Sequence, residues 1–202
     1  VHDGDIMEAG NRRLSNIHRR HRLPGTVAGN PRGLDCAMKR LLICRHAKSS
    51  WSQSDLRDFD RPLNKRGEHD APEMGRRLAV RGLRPDLICA SPAVRALATA
   101  HHYARQLHYP VDEIRPNPVQ YSATVPLLLQ LIQQVDKAVN LLMVVGHNPE
   151  STALANVLGA LMIDNIPTSG IVALDFAVDN WQQVAPGKGR LYFFDFPKNT
   201  GG

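Results

Sequence analysis

Apolar residues fall along this chain in short uninterrupted runs, each ending abruptly in polar or charged positions. Leu41-Leu42-Ile43-Cys44 stops at Arg45-His46-Ala47-Lys48, and the polar Ser49-Ser50-Trp51-Ser52 follows. Leu87-Ile88-Cys89-Ala90, entered from Asp86, stops at Ser91-Pro92-Ala93-Val94-Arg95. Leu141-Leu142-Met143-Val144-Val145 stops at Gly146-His147-Asn148-Pro149. Runs of this length, bounded by turn and charge signals, predict buried strands and are too short for confident helices. Ile171 to Phe176 and Leu191 to Phe196 predict two further strands, with a turn at Gly187-Lys188-Gly189 before the last.

Helical spacing fills the intervals. One helix is predicted from near Asn64, a good cap residue, to about Arg81, with Gly82 as its stop. Ala71, Met74 and Leu78 share its apolar face, while Pro72 and Gly75 leave a kink or a later start open. A second helix runs from Ala93 to about Leu107, with Ser91 as cap, Pro92 at the first helical position, and Leu97, Ala100 and Ala104 inward. Thr124-Val125-Pro126 opens a third, with Leu127, Leu128, Leu131, Ile132 and Val135 as its apolar face. Asn148-Pro149-Glu150 opens a fourth, to about Leu161. Residues 109–122 contain Pro110, Pro116 and Pro118 and predict a loop with at most a short strand near Ile114. Strands alternating with helices imply an α/β fold, a three-layer α/β/α sandwich around a mostly parallel central sheet.

That fold occupies residues 38–202 as one domain. Residues 1–37 mix Gly, Asn, Arg, His and Pro without an apolar period. They read as a mis-assigned upstream start ahead of Met38 or, alternatively, as a disordered basic tail. The run from Asn11 to Arg22 lacks the apolar core of a secretory signal, and Asp3, Asp5 and Glu8 argue against an organelle transit peptide.

Composition narrows the function classes. The 202 residues suffice for a sizeable single core, and no apolar stretch approaches the length of a membrane span. The formal charge of +6 raises nucleic acid as a partner. Much of that excess lies in residues 11–22 and 32–40, however, without aromatic interleaving or zinc-finger spacing, so nucleic-acid binding is not expected. The odd set Cys36, Cys44 and Cys89, two of them in predicted buried strands, argues for reduced thiols and a cytoplasmic setting.

The strand ends carry the chemistry. In open α/β sheets ligands bind beyond the carboxyl ends of the strands, and there three strands deliver Arg45 and His46, then Arg95, then His147. If those strands are neighbours and parallel, two arginines and two histidines converge on one pocket. Guanidinium forks match phosphoryl oxygens and stay charged at any working pH. Arg95 also falls in the first turn of its helix, where backbone N–H groups favour an anion.

The stretches Arg45-His46-Ala47-Lys48-Ser49-Ser50-Trp51, Arg61-Pro62-Leu63-Asn64-Lys65-Arg66-Gly67, Ser91-Pro92-Ala93-Val94-Arg95 and Val145-Gly146-His147-Asn148-Pro149 resemble the histidine phosphatase superfamily, whose hallmark is Arg-His after the first strand. They look most like its short SixA-type phosphohistidine phosphatase branch, over about residues 39–196. The resemblance implies a phosphoglycerate mutase-like fold and a hydrolase acting on a phosphorylated protein, phosphohistidine above all, or on a small phosphate ester. It implies His46, His147, Arg45 and Arg95 as catalytic residues, with Arg45, Arg95, His147 and Asn148 binding substrate. No metal or cofactor is required. His46 would attack phosphorus and become a transient phosphohistidine; Arg45 and Arg95 would keep its imidazole neutral, and a backbone carbonyl would fix its tautomer. Family members that cut alkyl phosphates add a carboxylate to protonate the leaving oxygen. Asp58, Asp60, Glu68 and Glu150 are candidates here, each read first as surface charge.

Three rival readings stay in view. Cys89 to Arg95 matches the C-x5-R of cysteine phosphatases, but Cys89 falls inside a predicted strand and the loop contains no Gly. A phosphoglycerate mutase-like enzyme would usually place Gly where Ala47 stands. A non-catalytic phosphoprotein-binding module would need the charges but not the paired histidines.

Overall fold

The computed structural model describes residues 38–52 and 55–199. The expectation for residues 1–37, the Cys36 thiol included, therefore lies outside the described residues. Ten elements follow in chain order. They are β1 (Met38–Arg45), α1 (Lys65–Val80), β2 (Leu87–Ala90), α2 (Val94–Gln106), β3 (Arg115–Pro116), α3 (Val125–Gln133), β4 (Leu141–Gly146), α4 (Glu150–Gly159), β5 (Ile171–Ala177) and β6 (Arg190–Asp195). The sheet order is β3-β2-β4-β1-β5-β6. β1, β2, β3 and β4 pair in parallel, and β5 and β6 add two antiparallel pairings at one side, so the sheet is mostly parallel as the alternation of elements implied.

Strand β1 lies between β4 and β5, and its side chains alternate between two cores. Leu42 and Cys44 join Ala71, Met74 and Leu78 of α1 and Ala96, Ala100, Tyr103 and Ala104 of α2 on one face. Leu41 and Ile43 join Leu128 and Ile132 of α3 and Leu154, Ala155 and Leu158 of α4 on the other. The period of two along the strand thus produces helix layers on both faces, and a strand buried on both reads as a continuous apolar run.

Local chemistry sets the helix ends. Asn64 caps α1 by accepting the Gly67 N–H at 2.9 Å, and Gly82 takes the left-handed conformation (φ 71°) just past its end. The helix begins at Lys65 and runs on through Pro72, so the later start does not occur. In α2 the capping expectation fails: the cap position is Ala93, and Ser91 lies two residues upstream with its hydroxyl turned to His147. In α3 Leu128 and Ile132 are buried as predicted, but Leu127 is exposed and Val135 falls beyond the helix end, because the helix stops at Gln133. Among the described residues no helix is long and apolar enough to cross a membrane.

The register positions the site. Cys44 stands opposite Val145 and Arg45 opposite Gly146, while Ala90 stands opposite Val145 from the other side. The carboxyl ends of β1, β4 and β2 are therefore level, and the next residues, His46, His147 and Ser91, emerge side by side. β5 closes the arrangement from the antiparallel direction: the Arg45 N–H donates to the Gly170 carbonyl at 3.0 Å and the Ser169 N–H to that of His46 at 3.2 Å.

Candidate active site

His46 leaves β1 with its ring folded back on its own backbone. Its Nδ1 lies 2.7 Å from the Ala47 carbonyl oxygen, which can only accept, so Nδ1 carries the proton and Nε2 keeps its lone pair. The ring is held against proton uptake, its pKa lowered to about 3, chiefly by burial and further by the charges of His147, Arg95 and Arg45; the Ala47 hydrogen bond works in the other direction. The two arginines act on His46 in the expected direction, and removal from water, which the sequence did not show, is the larger cause.

His147 faces it across the crevice, the two ring centroids 5.0 Å apart. Arg95 bridges them. Its Nε lies 3.4 Å from His46 Nε2 and its Nη2 3.4 Å from His147 Nδ1. A guanidinium only donates, so His147 Nδ1 accepts and Nε2–H donates to Ser91 Oγ at 2.8 Å. Burial, then the Arg95 charge, lowers the His147 pKa to about 4. Thr99, one turn further along α2, joins the two sides: its hydroxyl donates to the Arg95 carbonyl at 2.7 Å and accepts the Ala47 N–H at 2.9 Å.

Arg45 enters from a different direction. Its Nη1 donates to Ile166 O at 2.7 Å and to Asn165 Oδ1 at 3.2 Å, and Asn148 Nδ2 donates to the same two acceptors at 3.1 and 2.8 Å. Residues 165–166 thus tether both side chains. Arg45 Nε and Asn148 Oδ1 are buried without a hydrogen-bond partner among the described residues, an arrangement expected where a polar ligand completes the set. Arg45, His46, Arg95 and His147 all lie at the level sheet end, and the charges of Arg45 and Arg95 reach both imidazoles.

Asp58 is the residue the sequence reading undervalued. Asp60 pairs with Arg57 and Glu68 with His102, while Glu150 sits in the first turn of α4. Asp58 instead accepts from Arg95 Nη2 at 2.8 Å, from Arg61 Nη1 at 2.7 Å and from the Tyr121 hydroxyl at 3.1 Å, and its main-chain carbonyl accepts from Arg95 Nη1. Asp58 is half-exposed, as the surface-charge reading expected, but Arg95 ties it into the crevice. Burial alone would raise its carboxyl, but the hydrogen bonds from Arg95 and Arg61 outweigh that and hold it below its ordinary value. Tyr121 also sets its ring edge-on to His147 (5.7 Å) and to Phe59 (5.0 Å). The one sequence cue was the spacing Asp58-x-x-Arg61, which fits a local ion pair and says nothing of Arg95.

The cysteine rival loses its chemical basis. Cys89 is largely enclosed and burial pushes its thiol up to about 11, and Cys44 is pushed up further for the same reason. A thiolate nucleophile needs the opposite shift.

A family model described as histidine phosphatase superfamily (branch 1) matches residues 41–115. An uncharacterized protein of Mycobacterium tuberculosis is 32% identical over 172 residues, spanning 76% of this chain and 99% of the relative. A crystal structure from Agrobacterium tumefaciens, assigned as the phosphohistidine phosphatase SixA, is similar with a TM-score of 0.68 at 32% identity, covering 79% of this chain and 98% of that one. The protein histidine phosphatase SixA complexed with tungstate shares the fold with a TM-score of 0.69 at 21% identity, covering 80% and 99%.

Proposed function

This chain belongs to the histidine phosphatase superfamily, and from that premise we propose that it is a metal-independent phosphatase whose nucleophile is His46 and whose preferred substrate is phosphohistidine on a protein. The observation that carries the reading is the tautomer of His46. Nδ1–H is donated to the Ala47 carbonyl, so the nitrogen beside Arg95 and His147 is an unprotonated nucleophile at neutral pH.

The reaction runs in two displacements. His46 Nε2 uses its lone pair to form a bond to phosphorus while the bond to the leaving group breaks, the electron pair departing with that group. Arg45 and Arg95 hold the phosphoryl oxygens, where charge redistributes in the loose transition state. His147 Nδ1 takes up a proton from solvent once the anion lies beside it and donates it in a hydrogen bond to a phosphoryl oxygen, with Nε2–H still resting on Ser91. Water then attacks phosphorus, the N–P bond breaks with its electrons returning to Nε2, and inorganic phosphate leaves. Asn148, tethered to the same loop atoms as Arg45, lines the substrate side. The work is assigned to residues 38–202.

The leaving group favours a phosphoramidate. Asp58 is ionised under two arginines, and both histidines are unprotonated in the free site. An alkoxide leaves poorly without a proton from the site, whereas the imidazole of phosphohistidine departs as a neutral ring once its other nitrogen has taken a proton from solvent.

The test is phosphate release from a phosphohistidine-bearing protein by the full chain and by its His46→Ala variant. Release by the native protein, with an acid-labile phosphoryl group trapped on it and both lost in the variant, supports the mechanism. Undiminished release by the variant overturns it. Turnover of small phosphate esters only, with none of the phosphoprotein, keeps the nucleophile and replaces the substrate.

A further inference from the structure

We propose that Asp58 is a positioning residue of this site: it grips one end of the Arg95 guanidinium so that the other edge is presented to the substrate between His46 and His147. The assignment rests on the phosphatase reading above and extends it to a residue outside the four-residue set.

The geometry divides the guanidinium in two. The end edge, formed by Nη1 and Nη2, is held by the Asp58 carbonyl and by the Asp58 carboxylate at 2.8 Å. The side edge, formed by Nε and Nη2, points at His46 Nε2 and His147 Nδ1, each at 3.4 Å. Those distances are long for hydrogen bonds, so the side edge is oriented toward the histidines without being consumed by them. A planar fork with one edge fixed cannot rotate about its own axis, and its second edge is aimed before any anion arrives.

Asp58 is itself held in place. Arg61 grips its second carboxylate oxygen and anchors it to the loop after β1, donating also to the Ser50 carbonyl at 2.9 Å and to Ser49 Oγ at 2.6 Å. Tyr121 reaches it from the segment after β3, its ring already set against His147. Three separate stretches of chain thus converge on one carboxylate, and that carboxylate sets one arginine. A proton-donating role predicts something else: a protonated carboxyl would surrender one of its two arginine contacts.

The experiment compares the full chain with Asp58→Asn and Tyr121→Phe, using inorganic phosphate binding by calorimetry and turnover of phosphohistidine protein and of aryl phosphates with graded leaving groups. Misaiming a catalytic fork by a fraction of an ångström to an ångström lowers turnover on the order of tenfold to a hundredfold. A positioning role predicts that Asp58→Asn loses the same factor for every leaving group and binds phosphate more weakly, with Tyr121→Phe showing a smaller loss of the same kind. A loss that grows as the leaving group becomes more basic marks a proton donor and overturns the assignment. So do native phosphate affinity and native turnover in both variants. If the native chain binds phosphate but releases none from any substrate, the phosphatase reading fails while the binding comparison still judges Asp58. A native chain that binds no phosphate overturns both. Asp60→Asn, which alters only a surface pair with Arg57, is the control and keeps native values.

Discussion

Thr99 donates its hydroxyl proton to the carbonyl oxygen of Arg95 at 2.7 Å, and in doing so turns a lone pair toward the strand that carries the nucleophile. The Ala47 N–H fills that lone pair at 2.9 Å. Ala47, whose carbonyl orients His46, is therefore pinned at its N–H by the helix that carries Arg95. Thr99→Val keeps the shape and leaves the buried Ala47 N–H without a partner, which costs about 1–3 kcal/mol. Chemical denaturation should show that loss, and Thr99→Ser should restore most of it. If the valine variant unfolds at the native midpoint, the link contributes nothing.

Acidification should weaken the fold before the carboxylates titrate. His46 and His147 sit well below the ordinary value of 6.5, at about 3 and about 4, because burial disfavours their charged forms. The unfolded chain binds these protons first, so the stability from keeping the rings neutral is full above pH 6.5 and is lost as pH falls toward the folded values. Each such ring steepens the loss by up to about 1.4 kcal/mol per pH unit. Unfolding free energies at pH 7, 6 and 5 measure the slope, and His46→Ala should flatten it. An unchanged slope would remove burial as the cause.

Gly67 of α1 packs directly against the backbone of Lys48, in the loop after β1. A Cβ there would collide with the carbonyl oxygen of Lys48, the same atom that accepts the Asn64 N–H at 2.9 Å. Backbone on both sides leaves little room to relax, so Gly67→Ala should destabilise by about 1–3 kcal/mol, as overpacking does. Because Lys48 lies two residues after His46, turnover should fall as well, measurable at a temperature where the variant is still folded.

Thiol chemistry should leave activity untouched. With the Cys89 thiol pushed up to about 11 by burial, alkylating reagents at neutral pH should react slowly with the folded chain, and Cys89→Ser should keep native turnover. Rapid inactivation by iodoacetamide, prevented by phosphate and absent in the Cys89→Ser variant, would restore the cysteine mechanism.

The strands that end at Arg45 and lead into His46, Arg95 and His147 could be read directly, because a strand buried on both faces has no polar side and announces itself as an apolar run. The cap at Asn64 and the stop at Gly82 were equally readable, since each acts within a few residues of its own position. Ser91 misled for the same reason: its place ahead of a helix fits a cap, but the helix starts from Ala93, and the Ser91 hydroxyl accepts from a histidine 56 residues away as well as from the Ala93 N–H. Leu127 misled because helical spacing names a face without saying where packing ends.

The sequence alone determined the class of fold and the chemical inventory of the site, since hydrophobic period and residue type are local properties. Only the tertiary structure decided which groups act together. The parallel register of β2, β4 and β1 sets three loops level, and Thr99 ties two of them. Asp58, 37 residues from Arg95, aims the guanidinium. Burial, not the nearby charges alone, keeps His46 unprotonated. These depend on distances between residues far apart in the chain and on how much water the packed layers exclude, and neither is written in any local stretch.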